Sequence, residues 1–356
     1  MAIAWVGIIG QGRSGRNIHG MYLRGVPRKY RIAAVADLSA KRRQLAAEEY
    51  GCDVYKSHRE LIERDDMDLV INATPSHKHV EVTLDCLAAG QNVLCEKPAA
   101  ASVADFDKVC SAADKAGKLF AIFQNWRYLP YFQQAMRVVK SGVLGRIVLV
   151  RIAFNRYQRR WDWQTLRRCS GGNLLNTGPH PVDHAVQFLG TDSQLRVACV
   201  MDRAHGVGDA EDHVKAIITA KDKPTVDLEI SSCCTEPPPV MQIYGTRGGL
   251  VCERDHVRWR YHKGDKKVPD VVSKPYTDKD GLPAYCADSV KWVEREWELK
   301  KGHYFDASTA AYYNMLHRVL TKGALLEVTH DEVRQQIAII EECHRQNPPR
   351  SMPFGG

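Results

Sequence analysis

The sequence lacks any apolar run approaching the ~20 residues that a membrane-spanning helix needs. Its opening stretch, MAIAWVGIIG, also lacks the basic segment and the small-residue cleavage site of a secretory signal. The 11 cysteines are scattered and include no Cys-x-x-Cys pair, which argues against a disulfide framework or a structural zinc site. These absences predict a cytoplasmic protein with reduced thiols and no membrane partner.

A signature for nucleic-acid binding is missing as well, although the formal net charge is +8. The basic residues form short clusters among many acids, at 41–43, 159–160 and 167–168, with no helix-turn-helix or RNP-type pattern. We therefore expect no nucleic-acid partner. The clusters indicate solvated surface, or contact with an anionic cofactor or substrate.

What the sequence does contain is a glycine-rich turn directly after a buried strand. Residues 4–10, AWVGIIG, are a continuous apolar run, typical of a strand covered on both faces. A Gly-x-Gly-x-x-Gly motif follows and opens a helical segment at 16–24. The three glycines permit a tight turn, let a pyrophosphate approach the backbone, and allow the helix to pack on the strand. The predicted phosphate-binding residues are Gly10, Gln11, Gly12, Arg13, Ser14 and Gly15.

An acidic residue ends the second predicted strand, which covers residues 31–36. The Asp37 carboxylate can accept hydrogen bonds from the adenosine ribose hydroxyls and would repel a 2′-phosphate, so it favours NAD over NADP. Three basic residues at 41–43 lie close by in the sequence and could restore NADP binding.

Strands and helices alternate through the first third of the chain, which predicts a doubly wound parallel sheet. Ligands bind beyond the carboxyl ends of the strands in such sheets. Three predicted strands end at residues 73, 95 and 124, and polar residues follow each of them. The cofactor-binding residues predicted at these ends are Thr74, Pro75, Ser76, His77, His79, Glu96, Lys97, Pro98 and Asn125.

At this point the chain resembles the glucose–fructose oxidoreductase, inositol dehydrogenase and rhizopine-catabolism (Gfo/Idh/MocA) family. The resemblance spans nearly the whole chain, and its motifs are GQGRSG at 10–15, ATPSHKH at 73–79, EKP at 96–98, QNWR at 124–127, SGGNLLNTGPHPVDH at 170–184 and IYGTRGGL at 243–250.

The resemblance implies an α/β Rossmann domain over residues 1–126. It also implies an α+β substrate-binding domain over residues 127–356, with a large, open, mostly antiparallel sheet that forms the interface of a homodimer or homotetramer. The second half shows matching local patterns, with half-buried strands at 146–154 and 225–231 and a further helical segment at 285–300.

The same resemblance assigns the catalytic pair. Lys97 matches the lysine that points at the reacting hydroxyl, and His180 matches the histidine that accepts its proton. Where the family carries aspartate this chain has Asn176, which can orient a hydroxyl but cannot take a proton. Asp183 follows His180 by one helical turn and is expected to orient it or to pack at the domain junction.

Further positions are expected to border the nicotinamide and the substrate. Asn125 and Arg127 match residues after the sixth strand, and Trp163 matches a tryptophan that packs near the cofactor. Tyr157, Arg160 and Trp161 could line the substrate entrance, although Trp161 could equally be a buried structural residue. His180 and His184 have the spacing of a zinc pair, but HPVDH lacks the glutamate of His-Glu-x-x-His, so no metal is expected.

These features predict an NAD-dependent dehydrogenase that oxidises a secondary hydroxyl of a cyclic polyol, sugar or glycoside. One alternative is a relative that uses the oxidation as a hidden step, such as an NAD-dependent glycosidase or epimerase. A second alternative is a catalytically silent regulator that binds a dinucleotide, although the presence of Lys97 and His180 argues against it.

Overall fold

The computed structural model describes residues 2–264, 270–287, 289–300 and 302–349. The end of the predicted second domain, residues 350–356, therefore lies outside the described part. Two sheets organise the chain, and each has a hydrophobic core of its own.

The first sheet consists of six parallel strands, as the alternation of strands and helices predicts. The strands are β1 (Ala4–Ile9), β2 (Tyr30–Ala36), β3 (Asp53–Tyr55), β4 (Leu69–Asn72), β5 (Val93–Cys95) and β6 (Phe120–Ile122). Their order in the sheet is β3-β2-β1-β4-β5-β6, and every neighbouring pair is parallel. The order reverses between β1 and β4, which leaves a crevice beyond the carboxyl ends of these two strands.

Short helices connect these strands. They are α1 (Met21–Arg24), α2 (Ala40–Tyr50), α3 (His58–Ile62), α4 (His79–Ala88) and α5 (Val103–Ala116). Serine side chains cap α2, α3 and α5, because Ser39, Ser57 and Ser102 each accept a hydrogen bond from a backbone N–H of the first turn. The helix predicted at 16–24 is α-helical only in its second part. Its first part belongs to a wider π-helical segment, Gly15–Gly20, and α1 begins after it.

The second sheet has eight strands and is mostly antiparallel. Its elements, with the helices that accompany them, are α6 (Pro130–Lys140), β7 (Ile147–Asn155), α7 (Asn173–Asn176), α8 (Pro179–Leu189), β8 (Arg196–Asp202), β9 (His213–Thr219), β10 (Thr225–Ser231), β11 (Met241–Gly245), β12 (Gly248–Cys252), β13 (His256–His262) and β16 (Trp292–Glu298). The strand order is β16-β13-β12-β11-β7-β10-β9-β8, and only β7 and β10 run parallel. A separate two-stranded hairpin is formed by β14 (Tyr276–Thr277) and β15 (Pro283–Ala284).

The helical prediction for residues 285–300 is wrong, because β16 occupies part of this segment. Its residues WVEREWE suit a helix by propensity, but they alternate with a period of two against the free edge of β13. Glu296 pairs with Arg258 and Glu294 with Arg260, so opposite charges face each other across the two strands. Tertiary pairing therefore overrides the local preference.

The last two helices return the chain to the first sheet. They are α9 (Tyr304–Lys322) and α10 (His330–Gln346). Tyr312, Tyr313 and Leu316 of α9 are fully buried in the core of the first sheet. Helix α10 joins both cores, since Ile337 belongs to the first and Ile340 to the second.

No helix within the described ranges combines the length and the apolar character that crossing a bilayer requires.

The docking of α9 can be tested with one buried and one exposed leucine. Leu316→Ala should lower the free energy of unfolding by about 2–5 kcal/mol, because it leaves a cavity in the first core. The matched change Leu325→Ala, at a side chain that is 89% exposed, should alter it by less than about 0.5 kcal/mol. Urea unfolding of both variants measures the difference, and equal destabilisation would contradict this packing.

Candidate active site

The glycine-rich turn after β1 has the shape that a dinucleotide pyrophosphate needs. Gly10 has a φ of +93°, and a Cβ there would lie 2.6 Å from the Ala73 carbonyl oxygen. A Cβ at Gly15 would lie 1.8 Å from the Gly10 carbonyl oxygen. At Gly12, by contrast, no atom lies within 4 Å of an added Cβ. The protein's own packing requires the outer two glycines, whereas the middle one faces open space where a cofactor could approach.

Asp37 organises the same turn. Its carboxylate accepts hydrogen bonds from the backbone N–H of Gln11 at 2.7 Å and of Ser39 at 2.8 Å. Arg42 lies 3.6 Å from this carboxylate, and its side chain is 56% exposed. The Asp37 carboxylate, which favours NAD, therefore lies beside the Arg42 guanidinium, which could bind the 2′-phosphate of NADP. Arg13 is exposed and Ser14 half-buried at the start of the helical turn.

The loop after β4 is held to the Glu-Lys-Pro turn by His79. One ring nitrogen of His79 lies 2.7 Å from the Pro98 carbonyl oxygen, and the other lies 2.9 Å from the Thr74 carbonyl oxygen. The side chain is buried. The prediction that His79 contacts the cofactor is therefore wrong. The buried His79 ring instead links the loop after β4 to the Glu-Lys-Pro turn.

The other loop residues are accessible to a ligand. Thr74 and Ser76 are half-buried, whereas Pro75 and His77 are exposed. His77 lies edge-to-face with Trp163, at 6.4 Å between ring centroids. This contact brings the loop after β4 next to the segment that precedes α7, as expected for two walls of one cleft.

Glu96 is fixed by two residues that the sequence did not single out. His19 lies 3.2 Å from the Glu96 carboxylate through one ring nitrogen and 2.6 Å from the Tyr313 hydroxyl through the other. Burial alone would raise the pKa of Glu96, but the His19 hydrogen bond and the charges of His19, Lys97 and His79 bring it to about 2. His19 lies one helical turn after Gly15, and this spacing is only a weak indication that it belongs to the site. No local sequence pattern connects Tyr313 to the site.

Lys97 joins the two halves of the site. Its Nζ donates a hydrogen bond to the backbone carbonyl of Asn176, the last residue of α7, at 2.8 Å. Burial lowers the pKa of Lys97, the charges of Arg13 and Arg160 lower it further, and Glu96 opposes them. The lysine is followed by a cis peptide bond to Pro98. A half-buried ammonium of lowered pKa at this position suits contact with a reacting oxygen.

His180 lies in the first turn of α8 with its ring stacked on Trp126, at 4.1 Å between centroids and an 8° angle between planes. Its Nδ1 is buried without a hydrogen-bond partner among the described residues. Burial, the charge of Lys97 and that of His184 lower the pKa of His180 well below its usual value. The imidazole is therefore neutral near pH 7 and can accept a proton.

Arg127 does not border the nicotinamide and substrate as predicted, whereas Asp183 has a packing role, one of the two alternatives expected for it. The Asp183 carboxylate receives two hydrogen bonds from the Arg127 guanidinium, which also donates to Glu332 at 2.7 Å. Both side chains are buried, and the Arg127 donors are directed at protein acceptors. This pair supports α8 and α10 rather than contacting substrate. Asn125 is likewise buried, and its amide lies 3.3 Å from the Thr309 hydroxyl.

A small cavity lies beside Asn176, the residue whose carbonyl bonds Lys97. Its lining includes Gln158, Arg160, Gln164, Asn173, Asn176 and Glu211. Tyr157 is 58% exposed and stacks on His205. Trp161 is 78% exposed, which excludes a buried structural role, and Trp163 is 40% exposed.

Glu211 is one of two buried acids that line this cavity, with Asp212, and sequence patterns gave no indication of it. It accepts a hydrogen bond from the backbone N–H of Leu174 at 2.9 Å. Burial raises the pKa of Glu211 to about 7. A Cβ at Gly172 would lie 2.3 Å from its Oε1, so the glycine makes room for this carboxyl group.

The histidine pair with zinc-like spacing does not form a metal site. His184 stacks on Phe132 and lies 3.0 Å from the Trp126 carbonyl oxygen, within the second core. Within the described ranges, His205, Asp212 and Cys233 bring ligand atoms within 4.8 Å of one another. There the Asp212 carboxylate accepts backbone N–H groups of residues 204–206, and a ring nitrogen of His205 lies 2.9 Å from the Ser232 carbonyl oxygen.

Comparison with known proteins agrees with this geometry. Residues 5–124 match the model of an oxidoreductase family with an NAD-binding Rossmann fold, and residues 132–251 match the GFO/IDH/MocA C-terminal domain. The chain therefore belongs to the GFO/IDH/MocA family of oxidoreductases.

Three similar proteins illustrate the range of this family. The scyllo-inositol 2-dehydrogenase (NADP(+)) IolW of Bacillus subtilis is 28% identical over 343 residues, which are 94% of this chain and 91% of that one. The 2,7-anhydro-N-acetylneuraminate hydratase of Mediterraneibacter gnavus is 30% identical over 227 residues, 62% of this chain and 60% of the relative. The solved structure of GenD2 from gentamicin A biosynthesis, in complex with NAD, is alike in fold, with a TM-score of 0.76, 22% identity and coverage of 97% and 94%.

The buried ion pair can be tested by removing one charge. Asp183→Asn should lower the free energy of unfolding by about 3–5 kcal/mol, because it leaves the buried Arg127 guanidinium undercompensated. Asp107→Asn, which breaks a solvent-exposed pair with Arg334, should cost at most about 1 kcal/mol. Denaturant unfolding compares the two, and a small effect at Asp183 would contradict the structural role.

The raised pKa of Glu211 predicts a pH dependence of stability. The folded state binds this proton more tightly than the unfolded chain, so the stabilisation is complete below the unfolded pKa and is lost as pH rises through about 7. A change from 4.5 to about 7 corresponds to ~3 kcal/mol. Glu211→Gln keeps an acceptor for Leu174 but does not titrate. The difference in unfolding free energy between wild type and this variant should fall by that amount between about pH 4.5 and pH 8; parallel curves would disprove the assignment.

Proposed function

We propose that the protein is an NAD-dependent oxidoreductase that reversibly oxidises a secondary hydroxyl of a cyclic polyol, sugar or glycoside to the ketone. The observation that carries the proposal is the arrangement of two groups: Lys97 bonds the Asn176 carbonyl just before α8, and His180, in the first turn of α8, has a buried Nδ1 with no hydrogen-bond partner among the described residues. Burial and, after it, the charge of Lys97 lower the pKa of His180. A catalytically silent regulator would need neither group.

Each of the two residues supplies one part of the reaction. The Lys97 ammonium donates a hydrogen bond to the hydroxyl oxygen and stabilises the negative charge that develops there. A ring nitrogen of His180 accepts the hydroxyl proton. NAD, when bound, supplies the acceptor for the hydride that leaves the same carbon. In the reverse direction His180 returns the proton to the oxygen of the ketone.

Asn176 contributes through two different groups. Its backbone carbonyl holds Lys97 in place, and the residue also lines the small cavity beside it, where its side-chain amide can hydrogen-bond a ring hydroxyl. Because an amide cannot accept the proton, His180 has to carry the proton transfer without help from residue 176.

NAD is the proposed cofactor, and Asp37 is the reason. Its buried carboxylate would face the 2′-position of the adenosine ribose and disfavour a phosphate there. Arg42 beside it supports NADP as the alternative. Titration of the protein with NAD and NADP by calorimetry should give at least about 10-fold tighter binding of NAD, and Asp37→Asn should reduce that preference.

A hidden-redox reaction is the second candidate, favoured by one specific comparison. The relative from Mediterraneibacter gnavus is named as a hydratase, so a member of this family can carry out a reaction whose net result is not oxidation. Turnover of a glycoside with tightly held cofactor and no free NADH would identify this case.

We also propose a homodimer or homotetramer that uses the outer face of the second sheet. Exposed apolar side chains on its strands support this interface: Val200, Ile217, Tyr244 and Trp292.

The decisive experiment follows NADH when the protein meets NAD and a panel of inositols, aldoses, sugar acids and glycosides. Lys97→Ala and His180→Ala should each reduce turnover by about 100- to 10,000-fold. Lys115→Ala, at an exposed site on α5, should retain it. Unchanged turnover in both site variants would disprove the mechanism, and NAD binding without any turnover would favour the regulator.

A further inference from the structure

Three side chains of the kinds that bind metal ions meet at one end of the second sheet. His205 and Asp212 lie in the connection between β8 and β9, and Cys233 follows β10. Within the described ranges, one ligand atom of each residue lies within 4.8 Å of those of the other two. No spacing pattern in the sequence indicates this set, because the pairing of β9 with β10 brings the two segments together.

The His205 imidazole has one nitrogen that is free to coordinate a cation. Its Nε2 lies 2.9 Å from the Ser232 carbonyl oxygen, and because a carbonyl only accepts, this nitrogen carries the proton. The Nδ1 therefore has a lone pair, and it is buried without a hydrogen-bond partner among the described residues, which is unfavourable unless a ligand engages it. Metal-binding histidines commonly donate their second ring N–H to a backbone carbonyl in this way. Tyr157 stacks on the same ring at 5.2 Å between centroids and supports its orientation.

The Asp212 carboxylate is fixed in position and still has room for a cation. Its Oδ2 accepts the backbone N–H of His205 at 3.0 Å and that of Gly206 at 2.6 Å, and its Oδ1 accepts the N–H of Ala204 at 2.7 Å. A carboxylate has about four lone-pair positions in all, so Oδ1 keeps one that the backbone does not use. The three donors orient the carboxylate, as the outer hydrogen bonds of a metal-binding carboxylate do.

Cys233 supplies the donor that selects the kind of cation. Its backbone N–H donates to the Ser231 hydroxyl at 3.1 Å, and its backbone pairs with Tyr157 in an isolated bridge. A thiolate, an imidazole nitrogen and one carboxylate oxygen favour Zn²⁺ over Mg²⁺ and Ca²⁺, which prefer oxygen ligands alone. Zinc bonds of about 2.0–2.3 Å place tetrahedral ligand atoms about 3.3–3.8 Å apart, so the observed spacing requires only small side-chain movements.

We propose that His205 Nδ1, Asp212 Oδ1 and the Cys233 thiolate bind one Zn²⁺ ion, with water as the fourth ligand. Binding releases the thiol proton to solvent. The ion links the connection between β8 and β9 to the segment after β10. Asp212 and Ser232 also line the cavity beside Asn176, so the site lies at the wall of that cavity. None of the three ligands is assigned to NAD or to proton transfer, and the site is therefore independent of the proposed function.

Calorimetric titration of Zn²⁺ into the reduced, chelator-treated full-length protein tests the site. The wild type should bind one equivalent with a Kd on the order of 1 μM or below, and Mg²⁺ should bind at least about 100-fold more weakly. Cys233→Ser should weaken zinc binding at least about 10-fold, because losing a direct ligand costs no less than losing one of its outer partners. Cys234→Ser removes the adjacent half-buried thiol, which lies outside the cluster, and should change the affinity by less than about twofold.

A second set of measurements identifies the donor atoms. Co²⁺ bound in place of Zn²⁺ should give a thiolate-to-cobalt charge-transfer band that is lost in Cys233→Ser and retained in Cys234→Ser. His205→Phe keeps a ring against Tyr157 but removes the nitrogen, and it should also weaken zinc binding at least about 10-fold. In the wild type, Zn²⁺ should slow alkylation of Cys233 but not of Cys234, which tests the site even if the variants do not fold.

Three results would overturn the zinc site. They are the lack of stoichiometric binding by the wild type, equal weakening by Cys233→Ser and Cys234→Ser, and a cobalt band that persists in Cys233→Ser. The last two would show only adventitious binding to other thiols, such as the exposed Cys286. Each of these results would leave the proposed dehydrogenase intact, because neither Lys97 nor His180 is a ligand of the ion.

Discussion

The buried guanidinium of Arg127 is the contact on which the geometry of the site depends. A charge removed from water is stable only when every donor has a partner, and here the partners come from three separate segments. Asp183 belongs to α8, Glu332 to α10, and the Glu327 carbonyl to the loop between the last two helices. Satisfying one side chain therefore fixes the direction of α8, whose first turn carries His180.

A second set of contacts completes the site from the other side. Helix α7 is held at its beginning by Glu211 and presents the carbonyl of Asn176 to Lys97 at its end. Two histidines hold the Glu-Lys-Pro turn: His79 contacts the Pro98 carbonyl, and His19 contacts the Glu96 carboxylate. Lys97 and His180 are thus presented by elements whose positions are set by buried polar contacts, as preorganised catalysis requires.

The sequence predicted the first sheet better than the second because the two depend on different contacts. Strands such as β1 and β4 are short apolar runs between turns. This pattern can be recognised from the local sequence alone, without knowing what the strand pairs with. The segment of β16 is a strand only because β13 offers it an unpaired edge and opposite charges. That edge is contributed by residues about 35 positions earlier in the chain, a separation that local periodicity does not detect.

The candidate site shows the same division. Lys97, His180 and the glycine-rich turn lie in compact motifs and could be found from the sequence. Glu211, His19 and Tyr313 could not, because each acquires its role from a partner distant in the chain. Arg127 was expected beside the nicotinamide and substrate, but its pairing with Asp183 in the folded protein gives it a supporting position instead.

The return of the last helices also affects how the protein is made. Tyr313 and Leu316 complete the core that β1 begins, and His317 bonds the carbonyl of Ala2 across 315 positions of the chain. On a ribosome the glycine-rich turn emerges long before α9, so one side of its sheet stays open until α9 has been synthesised. The dinucleotide-binding half is therefore begun before the second sheet is synthesised and completed after it.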